Sequence, residues 1–227
     1  MTERNDGAHG PTARRGFLGR LLGGTAAITL FGAAPTSLMA SEAPSPGDDW
    51  MRDLKGTHRT VFDMSAHRNG KPLGQSKNYL DAWRDSFKVL ERDINLVIGV
   101  HGDAIPLVLT DALWSRYKLG EQYEVTDGGT KGPAVRNVFT AANAAGAGLV
   151  TPEQSIESLQ KRGVRFLICM NSIASATKKL SAAGLGSADE IHAALLGGML
   201  PGVITVPAMV VALTQLQEHG IKYVKIA

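Results

Sequence analysis

Cysteine is nearly absent from this chain: Cys169 is the only one in 227 residues. A single thiol excludes an internal disulfide framework and any multi-cysteine metal site. Histidine is sparse too, and no pair stands at the HxH or HxxxH spacing of a metal centre, so no metal site is assigned, and a His-based cofactor or metal binder stands only as an alternative reading. Net charge is only +3, and the first forty residues hold four arginines against two acids. The remainder is therefore close to neutral, and the high isoelectric point gives no reason to expect nucleic acid as a partner. Long apolar runs are missing as well. The longest weakly polar run, from Leu21 to Ala34, is broken by Gly23 and Gly24 and falls short of the ~20 residues a membrane span needs. What is present, 44% hydrophobic and 20% charged residues, is ordinary for a globular protein of one domain plus extras.

The amino-terminal forty residues read as a targeting segment. Arg14-Arg15-Gly16-Phe17-Leu18 is a twin-arginine pair followed by apolar residues, then a Gly/Ala-rich run, then Leu38-Met39-Ala40 as a cleavage site. This resembles a twin-arginine (Tat) export signal. The resemblance implies residues 1–40 as a signal peptide, the Tat translocase as a partner, folding before export and a periplasmic location. Residues 41–56 follow as a flexible linker, polar and carrying two prolines in its first half.

Beyond the linker, strand and helix patterns alternate. His58–Ser65 reads as a first strand. Asn69-Gly70-Lys71-Pro72 reads as a turn, and Tyr79, Trp83, Phe87 and Leu90 place a helix over about 76–92. Ile94–Val100 is apolar throughout, as an internal strand would be. A helix from Pro106 to about Tyr117 follows, with Asp103 as a cap. Residues 118–151, rich in Gly, Ala and Asn, show no period and read as an insertion. Within it, Gly128-Gly129-Thr130-Lys131-Gly132 lacks the ending of a phosphate loop, so no nucleotide cofactor is expected. Thr151-Pro152-Glu153-Gln154 opens a helix that Gly163 ends. Strand 164–168, helices over 173–184 and 187–200, strand 203–206, a helix to about His219 and a last strand 221–226 complete the chain. Such alternation predicts right-handed crossovers and an α/β fold: a three-layer α/β/α sandwich around a mostly parallel five-stranded sheet.

Four stretches together resemble the DsrE/DsrF-like sulfur-relay family. They are LQKRGVRFLICMNSI around Cys169, Leu200-Pro201-Gly202-Val203 before Val206-Pro207, the ending GIKYVKI, and Val97–Gly102 with its His-Gly. Ala112–Tyr117 with Trp114, and Arg136-Asn137-Val138-Phe139, resemble an exported subgroup. The resemblance spans residues 57–227 apart from the insertion at about 118–151. It implies the layered fold, assembly as a homotrimer or homohexamer, a sulfur donor or acceptor protein as partner, and sulfur carried as a persulfide on the cysteine. The chain lacks the second cysteines that some relays use.

Cys169, at the carboxyl end of an apolar strand, is either a nucleophile or sulfur acceptor, or a small buried hydrophobe. Ligands collect at that edge of parallel sheets, and a following helix N-terminus favours a thiolate. His101 ends the neighbouring strand and reads as a base, a thiolate partner, a ligand or a structural residue. Asp103 would orient it or cap a helix. Asn171 and Ser172 would donate hydrogen bonds to a bound anion, or serve as turn residues. His58 and His67 flank the first strand. Trp114, Tyr117, Arg136 and Asn137 serve either a ligand or neighbouring subunit, or the packing of the insertion itself. Apolar residues over 195–200 and 203–213 exceed what a small sheet covers, which predicts self-association.

Overall fold

A computed structural model describes residues 48–226. The leader, 1–40, and the start of the linker lie outside the described residues. The elements in order are β1 (His58–Ala66), α1 (Lys71–Asp81), β2 (Ile94–Asp103), α2 (Asp111–Arg116), α3 (Leu119–Gln122), α4 (Ala144–Ala147), α5 (Ile156–Lys161), β3 (Arg165–Cys169), α6 (Met170–Ala182), α7 (Ala188–Gly197), β4 (Ile204–Val206), α8 (Met209–Glu218) and β5 (Lys222–Lys225). The five strands form one sheet in the order β4-β3-β2-β1-β5, and every neighbouring pair is parallel. The α/β sandwich is thus observed, with a fully parallel sheet.

The strand order explains the layers. From β1 to β4 the chain steps across the sheet in one direction, so right-handed crossovers put the intervening helices on one face. The step from β4 back past β1 to β5 runs the other way, so α8 lands on the opposite face. Alternation along the strands separates the two cores. Phe62, Met64, Ile98, Val100, Phe166 and Ile168 point into the large core under α1 to α7. Val61, Val97, Leu167 and Cys169 point into a smaller core with Met209, Ala212, Leu213 and Leu216 of α8.

Several boundaries differ from the sequence expectation. Helix α1 starts at Lys71 because left-handed Gly70 (φ +82°) precedes it and Pro72 suits the first turn, and it ends in a π turn over Ala82–Ser86. The helix expected from Pro106 divides into a 3-10 turn, Ile105–Val108, and α2. The carbonyls of Leu107 and Leu109 there accept from the Asn137 side chain at 2.8 and 2.7 Å rather than from a following helical N–H, and that of Pro106 accepts from both the Leu109 N–H, which closes the 3-10 turn, and Trp114 Nε1 at 3.0 Å. The helix opened by Thr151 also divides, at Ser155, although a capping box of Thr151 and Gln154 forms at its start. The second capping box, Ser187 with Glu190, opens α7.

Two larger corrections concern whole segments. Residues 118–151 are not a loose excursion: Leu119, Tyr123, Val125, Val138, Phe139, Ala144 and Ala147 are buried in the main core. Asp127, also buried, binds the amides of Gly129 and Thr130, which accounts for the glycine pair as a turn. Nor is all of 41–56 a linker. Asp48–Asp53 form a 3-10 turn, Leu54 is buried under α8, and Arg165 donates to the Trp50 carbonyl at 2.9 Å. An apolar side chain that finds a half-covered sheet face docks there rather than staying in water.

Candidate functional site

At the carboxyl edge of the sheet, two of the five expected site residues, His101 and Cys169, stand on neighbouring strands on one face. Val100 of β2 pairs with Ile168 of β3, and His101 and Cys169 each come next. They therefore stand level, on the α8 face, about one inter-strand spacing (~4.8 Å) apart along the backbone. Cys169 also lies where the chain reverses: β3 leads to α6 on one face, while neighbouring β4 leads to α8 on the other. Ligand crevices of parallel sheets form at such a switch point.

Cys169 is itself the cap of α6, with no loop between strand and helix (φ −80°, ψ 121°). Its Sγ accepts the N–H of Met209, the first residue of α8, at 3.3 Å. The N-terminus of α8 thus points at the sulfur, while it is the backbone of Cys169 that caps α6, with no cap bond from its side chain. Cys169 is only 4% exposed, in the smaller core, with Val206 of β4 as its strand partner and Met209 of α8 over it. Gly99, two positions before His101 on β2, has no room for a side chain: an added Cβ would lie 2.6 Å from Met209 Sδ. That absence lets α8 sit close enough to cover the thiol.

His101 keeps a partly exposed side chain and is held by residues the sequence reading did not single out. Its Nε2 lies 2.6 Å from Asp63 Oδ1, and Tyr223 Oη donates to Asp63 Oδ2 at 2.7 Å. Because a carboxylate only accepts, Nε2 carries the proton and Nδ1 of a neutral ring keeps its lone pair. The hydrogen bond to Asp63 raises the Tyr223 hydroxyl above its ordinary pKa, so it remains a donor. The sequence held one signal for this: Asp63 is a charged residue inside a strand of otherwise inward apolar residues, and a charge so placed needs a partner. Tyr223 gave none, being 160 residues away.

The other expected site residues go elsewhere. Ser172 Oγ accepts the Gly102 N–H at 3.1 Å and so ties α6 to the end of β2, a structural role. Asn171 is exposed in the first turn of α6, where its carbonyl accepts from Ser175. Asp103 neither caps a helix nor joins His101. Left-handed Gly102 (φ +55°) breaks the strand alternation, and Asp103 lines a separate cavity with His67, Tyr123 and Lys179. Any Cβ at Gly102 would meet the Ser65 carbonyl at 2.7 Å. Trp114 and Asn137 serve packing of the insertion, as their carbonyl contacts require. His58 stacks on Trp83, with ring centroids 3.8 Å apart. Among the described residues no group of three or more His, Cys, Asp or Glu side chains is placed to hold a metal ion.

Comparison with known proteins adds little to this geometry. No family model and no curated protein matches the chain. A solved structure, a protein of unknown function from Methanobacterium thermoautotrophicum, aligns at 15% identity over 74% of this chain and 99% of its own, with a TM-score of 0.39.

Proposed function

We propose that the protein carries sulfane sulfur on Cys169, with His101 as its proton-handling group. The observation that supports this reading is the placement of the only thiol at a topological switch point, at the N-terminus of α8 and level with His101. The exchange is redox-neutral. The Cys169 thiolate attacks the outer sulfur of a donor persulfide, R–S–SH; a Cys169 S–S bond forms, the donor S–S bond breaks, and the donor leaves as R–S⁻. His101, once protonated, supplies the proton that the leaving thiolate takes. With Cys169 4% exposed, transfer requires the first turn of α8 to move off the sheet. Mass spectrometry after incubation with a polysulfide or a protein persulfide should find an addition of about 32 Da, one sulfur atom, at Cys169. No adduct on the native protein, with Cys169→Ser indistinguishable from the parent, would dispose of the idea.

The burial of Cys169 favours a second reading, a non-catalytic homo-oligomeric module in which the cysteine is a core residue. Val210 and Val211 of α8 are 72% and 53% exposed, and Leu196 of α7 is 39% exposed, apolar surface suited to a partner copy. Thiol labelling without denaturant separates the two readings, and light scattering tests self-association as a trimer or hexamer. The leader supports export through the Tat translocase to the periplasm. Cell fractionation of an Arg14→Lys, Arg15→Lys variant should find it retained in the cytoplasm.

A further inference from the structure

Two cavities carry many charges, and they differ in one respect. In the first, between α1 and α5, the central charges are paired: Lys77 and Arg84 with Asp81, and Arg162 with both Asp81 and Glu91. That is a surface ion-pair network, and it holds the two helices together. In the second, at the carboxyl ends of β1 and β2, two cations and two acids line one open space: Arg68, Lys179, Asp103 and Glu124. None of these four takes part in an ion pair among the described residues.

We infer that this second cavity, of about 430 Å³, binds a small zwitterion, a molecule bearing both a carboxylate and an ammonium group as amino acids do. The charges are what a zwitterion answers. A carboxylate would meet Lys179 and Arg68, and an ammonium would meet Asp103 and Glu124. A singly charged ligand leaves one pair of wall charges without a counter-ion, and a neutral one leaves both. The volume falls within the range of about 300–1,000 Å³ usual for small-molecule sites, at the sheet edge where such sites form.

The walls are also held in shape at a cost. Arg68 (φ +39°), Asn69 (φ +51°) and Glu124 (φ +56°) all take the left-handed backbone that non-glycine residues avoid. Strain of this kind persists where surrounding contacts over-determine it, commonly at ligand clamps. Here the contact is His67. Its Nδ1 accepts the Asn69 N–H at 3.1 Å, and its Nε2–H donates to the Tyr123 carbonyl at 2.8 Å, so one ring joins both strained segments. Lys179 is positioned in turn, its Nζ lying 3.9 Å from the centroid of the Tyr123 ring. Burial pushes the Tyr123 hydroxyl up to about 12, so this wall keeps a donor and adds no charge.

Titration of the full-length chain with each of the standard L-amino acids, followed by two-dimensional amide NMR, tests the inference. One or more should move the amides of residues 66–69 and 122–124. For the best binder, the analogue lacking the amine and the methyl ester should each bind about tenfold more weakly. Lys179→Gln and Asp103→Asn, both at exposed positions that carry no fold contact beyond the Tyr123 stack, should weaken binding by about tenfold. Cys169→Ser should leave it unchanged, which keeps this result separate from the thiol reading. Silence of those amides toward every amino acid, equal affinity for the singly charged analogues, or full affinity in both charge variants would overturn it.

Discussion

Replacing Asn137 with alanine should cost more stability than its place in a Gly- and Ala-rich stretch suggests. The Asn137 side chain is fully buried and satisfies three backbone groups at once. It donates to the carbonyls of Leu107 and Leu109 at 2.8 and 2.7 Å, and accepts the N–H of Phe139 at 3.0 Å. Alanine leaves all three without a partner, in a region where Leu107, Leu109 and Phe139 are themselves buried. Each such group costs about 1–3 kcal/mol, and a water entering the vacated space recovers part of that. A loss of about 3–5 kcal/mol follows, a large share of the roughly 5–15 kcal/mol that holds a typical domain. Asn137→Asp should be no better, because it removes the donors and sets a carboxylate against two carbonyl oxygens. Asn171→Ala, at an exposed position, is the control and should stay within about 0.5 kcal/mol. Urea unfolding followed by circular dichroism reads the difference as a shift in midpoint at unchanged slope. A loss below about 1 kcal/mol would refute the view that residues 118–151 belong to the cooperative core.

Three further outcomes are expected. Burial lowers the His67 pKa below its ordinary 6.5, against the opposing pull of Asp103 and Glu124 and with Lys179 adding to the lowering. The unfolded chain therefore takes up the proton first, so the stability this residue contributes is present above about pH 6.5 and is lost as pH falls through the lower folded value. In His67→Gln the pH dependence of unfolding should flatten in that window only, since Asp81, Glu153 and Glu190, whose pKa values are also lowered, act at more acidic pH. Gly99→Val should push Met209 from the sheet, cost about 1–3 kcal/mol and speed labelling of the Cys169 thiol; unchanged labelling would mean that α8 does not shield the sulfur. Nitrogen NMR of the His101 ring should find the proton of the neutral form on Nε2, and Asp63→Ala should abolish that preference; a ring already on the Nδ1–H tautomer would contradict the Asp63 contact.

The layered architecture was legible in the chain because its causes are local and general. Apolar runs such as Ile94–Val100 specify buried strands, boxes such as Thr151–Gln154 and Ser187–Glu190 mark helix starts, and handedness does the rest once strands and helices alternate. Cys169 and His101 could be placed at one edge for the same reason. What became of them was decided elsewhere. Whether the thiol faces water depends on how closely α8 can approach, and that depends on Gly99 two strand positions before His101. The partner of His101 comes from β1, and the donor that holds that carboxylate comes from β5 at the far end of the chain; only sheet register brings Asp63 and Tyr223 together. The order of the insertion is not visible in the sequence because it comes from side chains that bind backbone groups about 30 residues away, as Asn137 does, and such bonds leave no periodicity to detect. Patterns repeated along the chain encode elements; single contacts between distant residues, which the site is made of, exist only once those elements have packed.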